Sequence, residues 1–335
     1  MNNQRIVLAS RPAAEPTTAN FRLEEVALAP LEDGQVRVKH HYLSLDPYMR
    51  GRMNDAKSYA QPQPLNETMI GGTVGEVVES RNSKFAVGDK VVGMGGWQQF
   101  STASGKGDIS KVDTTHIPLS AYLGSVGMPG MTAWYGLMKI CEPKAGETVC
   151  VDAASGAVGS VVGQLAKLKG MHVVGIAGGV EKCAYVKNEL GFDDCIDYKA
   201  FPDPKAFYSA LKAVTPRGID CHFENVGGTI MDAVMLRMNA FGRVAMCGMI
   251  SGYNGAPIPM MAPQLILQSR LKFQGFIVSE HMNLWPEGLT ELGGYVASGK
   301  IKFRESIADG LANAPQSFLD LLKGKNFGKQ LVKLV

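Results

Sequence analysis

The segment Val149-Cys150-Val151-Asp152-Ala153-Ala154-Ser155-Gly156-Ala157-Val158-Gly159-Ser160-Val161-Val162-Gly163 joins a buried-strand run, a turn of small residues and an apolar-periodic helix. Gly156 and Gly159 take the last two places of a G-x-G-x-x-G pattern, and Ala154 replaces the first. Small residues here let the backbone approach a diphosphate. The helix start then offers N–H groups and positive potential to the anion. A tight turn without a ligand is the bland alternative. The strand before, the helix after and a second β-run ending about twenty residues on favour the cradle.

Around this segment the chain alternates apolar runs with helix-length stretches. Strands are expected at Thr148–Asp152, His172–Ile176, Cys195–Asp197, Ile219–Phe223, Arg243–Cys247 and Lys272–Phe276. Helices are expected at Val158–Leu168, Glu181–Leu190, Pro204–Val214 and Thr229–Met238, with Gly170 and Gly191 where helix ends want them. Such repeats give βαβ units and a doubly wound parallel sheet, the dinucleotide-binding arrangement. Residues 1–122 read differently. Short β-like runs such as Gln35–Lys39, Gly75–Val78 and Lys90–Val92 stand between turn residues and argue a curled antiparallel sheet or barrel. Near 300 the mixed texture returns, with a helix at Pro315–Lys323 and a strand at Gln330–Val335. The expected division is 1–122 with 300–335, and 123–299. The fold class is α/β.

A chain of 335 residues suits two domains, and 45% hydrophobic against 19% charged residues excludes disorder. The net charge of +3, without long blocks of one sign, gives no nucleic-acid surface. The apolar run Ile6–Ala9 is too short for a secretory signal, and no stretch approaches the ~20 residues of a membrane span. A cytoplasmic address is therefore expected. Six cysteines, none in a Cys-x-x-Cys pair, fit a reducing compartment better than a disulfide framework.

The second strand carries the coenzyme preference. An NAD site usually ends that strand on an acid. Here His172–Ala177 runs into Gly178-Gly179. Glycine leaves room for a 2′-phosphate, Lys182 follows where a cation can reach it, and Tyr198 can add a hydroxyl. An ordinary solvated lysine is the alternative for Lys182 alone. With the acid missing, NADPH is the expected coenzyme.

No catalytic zinc is expected. The first cysteine is Cys141, His40 and His41 are neighbours facing opposite sides of a strand, and His116 is isolated.

Several stretches together resemble the zinc-independent leukotriene-hydroxydehydrogenase/prostaglandin-reductase branch of the medium-chain dehydrogenase/reductases, which includes alkenal and curcumin double-bond reductases. They are Leu45–Arg50 (LDPYMR), Gly127–Ala133 (GMPGMTA), Phe223–Gly228 (FENVGG), Cys247–Asn254 (CGMISGYN), Gly275–Val278 (GFIV) and Asn326–Lys329 (NFGK). The resemblance spans the chain. It implies a GroES-like, partly open β-barrel domain, a Rossmann domain and a homodimer. It places Ala157, Val158, Gly159 and Ser160 at the diphosphate, and Lys182 and Tyr198 at the adenosine phosphate. Asn225, Cys247, Met249, Ile250, Ser251, Tyr253, Phe276, Ile277, Val278 and Asn326 would line the rest of the coenzyme, with Met131 and Thr132 near the nicotinamide. Leu45–Arg50 and Gly71–Gly75 stand where zinc-dependent relatives carry metal ligands.

The implied reaction is reduction of the C=C bond of a small apolar enone or enal. It needs a hydride donor over the β-carbon, a hydrogen-bond donor for the enolate oxygen and a proton for the α-carbon. Tyr253, in a Gly-Tyr-Asn-Gly loop after the fifth strand, and Tyr48 are the catalytic candidates; a turn tyrosine and a packed tyrosine are the alternatives. Trp97, Met94, Met128 and Met249 could make the substrate pocket apolar. Quinone reduction, or a nucleotide-binding protein without catalysis, would use the same fold.

Overall fold

The computed structural model describes residues 2–255 and 258–335. The chain forms two compact units, Met1–Leu123 with Glu305–Val335, and Gly124–Arg304.

In chain order the first unit contains β1 (Asn2–Leu8), β2 (Phe21–Ala27), β3 (Val36–Ser44), α1 (Tyr48–Arg52), β4 (Thr73–Ser80), β5 (Lys90–Gly93), β6 (Phe100–Ala103) and β7 (Ile109–Lys111). The second contains α2 (Met128–Tyr135), β8 (Thr148–Val151), α3 (Gly159–Leu168), β9 (His172–Ala177), α4 (Val180–Asn188), β10 (Asp194–Asp197) and α5 (Pro204–Val214). It continues with β11 (Ile219–Glu224), α6 (Gly228–Met235), β12 (Met238–Met246), α7 (Gln264–Gln268), β13 (Lys272–Gly275) and α8 (Trp285–Ala297). The chain then returns to the first unit as β14 (Glu305–Asp309), α9 (Ala314–Leu322) and β15 (Lys329–Lys333).

In the first unit β14-β15-β3-β4-β5-β7 make one sheet, with β6 also on β3. Its pairs are antiparallel except β14 with β15, which run parallel, a departure from the wholly antiparallel sheet expected. Gly75 permits the β3–β4 approach, since a Cβ there would lie 2.1 Å from the Lys39 carbonyl oxygen. The core beside this sheet is aromatic. Phe21 stacks on Trp97 at 5.3 Å and Phe318 meets Trp97 edge-on at 5.8 Å. Such pairs add about 1 kcal/mol each beyond the burial itself. Trp97, read from the sequence as a pocket residue, is 0% exposed and belongs to this core. An indole that fills a core and one that lines a pocket leave the same trace in sequence.

The second unit holds a parallel sheet in the order β10-β9-β8-β11-β12-β13. β8 is buried throughout, as a central strand covered on both faces must be. The strand order reverses between β8 and β11, which opens a crevice at their carboxyl ends. Gly170 and Gly191 end α3 and α4 regions at φ of 77° and 75°, values a Cβ disfavours. Two of the differences from expectation concern α6 and α8. The helix expected to reach Met238 stops at Met235, because Met238 already pairs with Ile219 in the β11–β12 ladder. Its apolar side chain keeps the helical spacing by coincidence. The second is α8, which the strand–helix alternation does not require. Its signals are Pro286 in the first turn, Glu287 beside it, and Leu292 and Val296 buried four residues apart.

Candidate functional site

The cradle forms where β8 meets α3. Ala153 takes the left-handed conformation (φ 44°), and the next turn folds back on it. A Cβ on Gly159 would stand 2.5 Å from the Ala153 carbonyl oxygen, and one on Gly156 3.1 Å from it. Both glycines are therefore set by close approach of backbone to backbone. Ala154 is tolerated because its methyl lies against Gly175 on β9, where a Cβ would come within 2.9 Å. Gly156, Ala157 and Val158 are half-exposed at this start, while Gly159 and Ser160 are buried. Ser160 N donates to Gly156 O, and Val161 N and Val162 N to Val158 O, so it is the positive pole of α3, with the half-exposed backbone of Gly156 to Val158 beside it, that suits a diphosphate.

Beside it, at the end of β9, lies a second polar cluster. A Cβ on Gly178 would meet Tyr198 Oη at 3.1 Å and Lys199 Cε at 3.0 Å. Burial, and then the charge of Lys199, lower the pKa of Lys182. Gly178, Tyr198 and Lys199 therefore meet at one place, with Lys182 within electrostatic reach of Lys199. Two ammonium groups that repel each other across a glycine gap fit a dianion such as a 2′-phosphate. Asp197 is close, but its Oδ1 accepts the amides of Gly179 (2.7 Å) and Lys199 (3.0 Å). Its charge is thus committed to the turn that shapes the cluster. Lys199 escaped the sequence reading. Its one signal was its place next to Tyr198.

Beneath the crevice the pairing of β8 with β11 brings Asp152 and Glu224 together, both fully buried. Glu224 Oε1 accepts the amides of Val226 and Gly227 at 2.6 Å each, and Oε2 lies 3.0 Å from His222 Nε2. Burial, the largest influence, would raise Glu224, but the His222 hydrogen bond and charge, the Asp152 hydrogen bond and the Gly227 amide together outweigh it and hold the carboxyl at about 2. Burial and the charge of Glu224 push Asp152 up. Of the two carboxyls, Asp152 is thus the one that holds a proton more readily. Asp152 Oδ1 accepts Asn225 N (2.7 Å) and Asn225 Nδ2 (3.1 Å). The Asn225 amide thus anchors its own loop to the end of β8.

That loop in turn holds the next one. Cys247 N and Gly248 N donate to Glu224 O, Ile250 N to Asn225 O, and Ser251 N and Oγ to Val226 O. Met249 reaches Gly227, where a Cβ would meet its Cε at 3.4 Å. Burial pushes the Cys247 thiol up to about 12, so it stays neutral. Tyr253 is half-buried at the end of this stretch, and its hydroxyl oxygen accepts from Met249 N at 3.4 Å. This contact uses a lone pair of the phenol and not its proton. Ala256 and Pro257, in the same expected loop, lie outside the described residues.

Other expected coenzyme residues are placed more deeply. Met131 is 1% exposed, with its sulfur against Gly288 of α8. Thr132 Oγ1 donates to Met128 O at 2.8 Å. Phe276 is half-buried, edge-on to Phe223 and beside Tyr135. Ile277 is half-buried, while Val278 is buried, with its carbonyl accepting Trp285 Nε1 at 3.2 Å. In the first unit Asn326 Nδ2 donates to Gly328 O at 2.7 Å. Tyr48 opens α1, and burial, then the Asp46 charge, raise its pKa far above the phenol range. It is a neutral hydroxyl.

The donor set does not fit a catalytic zinc. His40 is buried against Gly95, while His41 is half-buried near the charges of Lys90 and Glu76. Burial, and then His41, lower His40 to about 3, and its Nε2 is 2.9 Å from Ser101 Oγ. Among the described residues, Asp152, His222 and Glu224 bring three ligand-type atoms within 4.8 Å of one another. Their donors and acceptors are engaged by backbone amides, Asn225 and the Cys150 carbonyl.

A curled, mainly antiparallel unit and a separate cradle-bearing parallel sheet define a two-unit, dinucleotide-dependent oxidoreductase. Residues 4–112 match the family model described as N-terminal domain of oxidoreductase, and 157–293 that described as zinc-binding dehydrogenase. The chain is 46% identical to the NADPH-dependent curcumin reductase of Escherichia coli, over 99% of this chain and 97% of the relative. It is 45% identical to prostaglandin reductase 1 of Rattus norvegicus, over 95% of each. The crystal structure of CurA in complex with NADPH from Vibrio vulnificus superposes with a TM-score of 0.93 at 46% identity, covering 99% of both chains. The chain belongs to the medium-chain dehydrogenase/reductase family, in the zinc-independent branch of the curcumin and prostaglandin reductases.

Proposed function

We propose that the chain reduces the C=C bond of α,β-unsaturated ketones and aldehydes with NADPH. The observation that carries this reading is near full-length likeness to an NADPH-dependent curcumin reductase. The lysine pair at Gly178 supports the choice of coenzyme. Bound NADPH supplies the hydride.

The protein's own residues do the rest. The first turn of α3 holds the diphosphate with Gly156 to Ser160. Lys182, Lys199 and Tyr198 hold the 2′-phosphate. The bonded loops at Asn225 and Cys247–Tyr253 keep the site rigid through the Asp152–Glu224 pair. Tyr253 donates its hydroxyl proton in a hydrogen bond to the enolate oxygen as charge develops there. Tyr48, a neutral hydroxyl, is kept as the second candidate for that role. Assembly as a homodimer, a cytoplasmic address and an apolar enone or enal substrate belong to the same proposal.

A panel of enals, enones and quinones, each run with NADPH and NADH, tests it. Faster oxidation of NADPH by enones and enals, with loss of the double bond in the product, is expected. Turnover confined to quinones overturns the C=C assignment.

A further inference from the structure

Two pairs of thiols in the second unit act on each other, and they differ in access. Cys141 and Cys221 are each 0% exposed, with the Cys221 sulfur 3.4 Å from the Cys141 carbonyl oxygen. Solvent oxidants do not reach them. Cys183 and Cys195 form the other pair. Cys195, on β10, is half-buried, and Cys183, in the first turns of α4, keeps an 8% exposed edge.

Their sulfurs lie over the same face of β9. A Cβ on Gly175 would meet the Cys195 sulfur at 3.2 Å and Val186 of α4 at 3.0 Å. Two residues along the strand, the Cys183 sulfur is 4.0 Å from the Ala177 carbonyl oxygen. The missing side chain at Gly175 thus leaves the space that the Cys195 sulfur and Val186 fill, two residues along the strand from the Cys183 sulfur. Each thiol acts on the ionisation of the other, which holds Cys183 below its ordinary range and raises Cys195. Asp197 opposes the Cys183 thiolate, and the start of α4 favours it.

Each cysteine adjoins a phosphate-cluster residue. Lys182 immediately precedes Cys183, and Tyr198 and Lys199 follow shortly after Cys195. We propose that Cys183 and Cys195 form a peroxide-reactive dithiol whose disulfide weakens NADPH binding. This rests on the reading that Lys182, Tyr198 and Lys199 hold the 2′-phosphate.

In the first step the Cys183 thiolate attacks one oxygen of hydrogen peroxide, the O–O bond breaks, and the departing oxygen takes a proton to leave as water. Cys183 is then a sulfenic acid. The Cys195 sulfur attacks it, forming the S–S bond and expelling the second water with the Cys195 proton. Two thiols lose two electrons in all, and the peroxide gains them. A disulfide holds its sulfurs about 2 Å apart. Closing it draws the first turn of α4 toward β10 and moves Lys182 relative to Tyr198 and Lys199.

The test exposes reduced enzyme to hydrogen peroxide, maps peptides without reductant, and measures KM for both coenzymes. Expected are a Cys183–Cys195 linked peptide with the loss of two hydrogens, and a KM for NADPH raised roughly tenfold, the cost of one misplaced charge-assisted hydrogen bond. KM for NADH moves less, and dithiothreitol reverses both effects. Cys195→Ser keeps the activity of the reduced enzyme and loses the peroxide response. No link between these two cysteines, or a link that leaves KM for NADPH unchanged, overturns the proposal. The two readings fail separately. The peptide map decides whether the bond forms, and the NADPH-to-NADH preference of reduced Lys182→Ala decides the phosphate site.

Discussion

The ammonium of Lys329, on β15, donates to Asp46 Oδ1 at 3.0 Å and to the Leu45 carbonyl at 2.8 Å, with both charged groups almost wholly buried. Ser44 adds its hydroxyl to the other Asp46 oxygen. The pair ties the end of the chain to the turn that carries Tyr48. Removing one member leaves a buried charge without its counterion. Lys329→Met should therefore cost about 3–5 kcal/mol. The urea midpoint reads it, and Asp46→Asn in the same chain should restore part of the loss. A midpoint unmoved by Lys329→Met would deny the pair its role.

Gly159→Ala puts a methyl 2.5 Å from the Ala153 carbonyl oxygen, which is backbone and cannot step aside. The turn must open. Coenzyme affinity should fall well beyond tenfold, and stability by about 1–3 kcal/mol. Titration calorimetry with NADPH and a thermal melt measure the two. Native affinity in this variant would remove the cradle from the binding site.

Lys182→Ala and Lys199→Ala should each raise KM for NADPH by roughly tenfold or more and leave KM for NADH nearly unchanged. Equal effects on the two coenzymes would place the lysine away from the phosphate. Lys199→Ala also relieves the repulsion that lowers Lys182, so the pKa of Lys182 should rise in that variant.

Tyr253→Phe removes a hydroxyl and little else. Turnover should drop on the order of a hundredfold if the phenol steadies the enolate, with KM for NADPH preserved. Unchanged turnover would move that role to another group, with Tyr48 the next to vary.

His40 gives the fold an acid limit. Its ordinary pKa of 6.5 is lowered to about 3 in the folded chain, first by burial and then by His41. Between these two values the unfolded chain binds a proton that the folded one refuses. This contribution is therefore intact above pH 6.5. It is lost as pH falls toward 3, by at most about 1.4 kcal/mol per pH unit. His40→Gln should flatten that part of the stability profile. An unchanged slope would show that other groups set it.

What could be read in the sequence depended on how local its cause was. The cradle and the strands around it were legible because period, glycine and helix start all fall within one short stretch. Lys199 was not, since its meaning comes from Gly178, which chain folding brings beside it. Asp152 and Glu224 are ordinary acids in two separated strands until the β8–β11 crossover sets them side by side. The first unit's strands were visible as a texture. Their partners were not, because short runs of similar residues allow many pairings and the choice is made by long-range burial around Phe21, Trp97 and Phe318.

β15 lies between β14, which it joins in parallel, and β3, which it joins antiparallel. A strand from the far end of the chain is thus an interior member of a sheet begun near residue 36. During synthesis β3 must wait, with that edge open, while the whole parallel-sheet unit is made and folds. The first unit can close only after the whole second unit has been made, so this half of the protein is the one exposed to edge-to-edge aggregation in the nascent state.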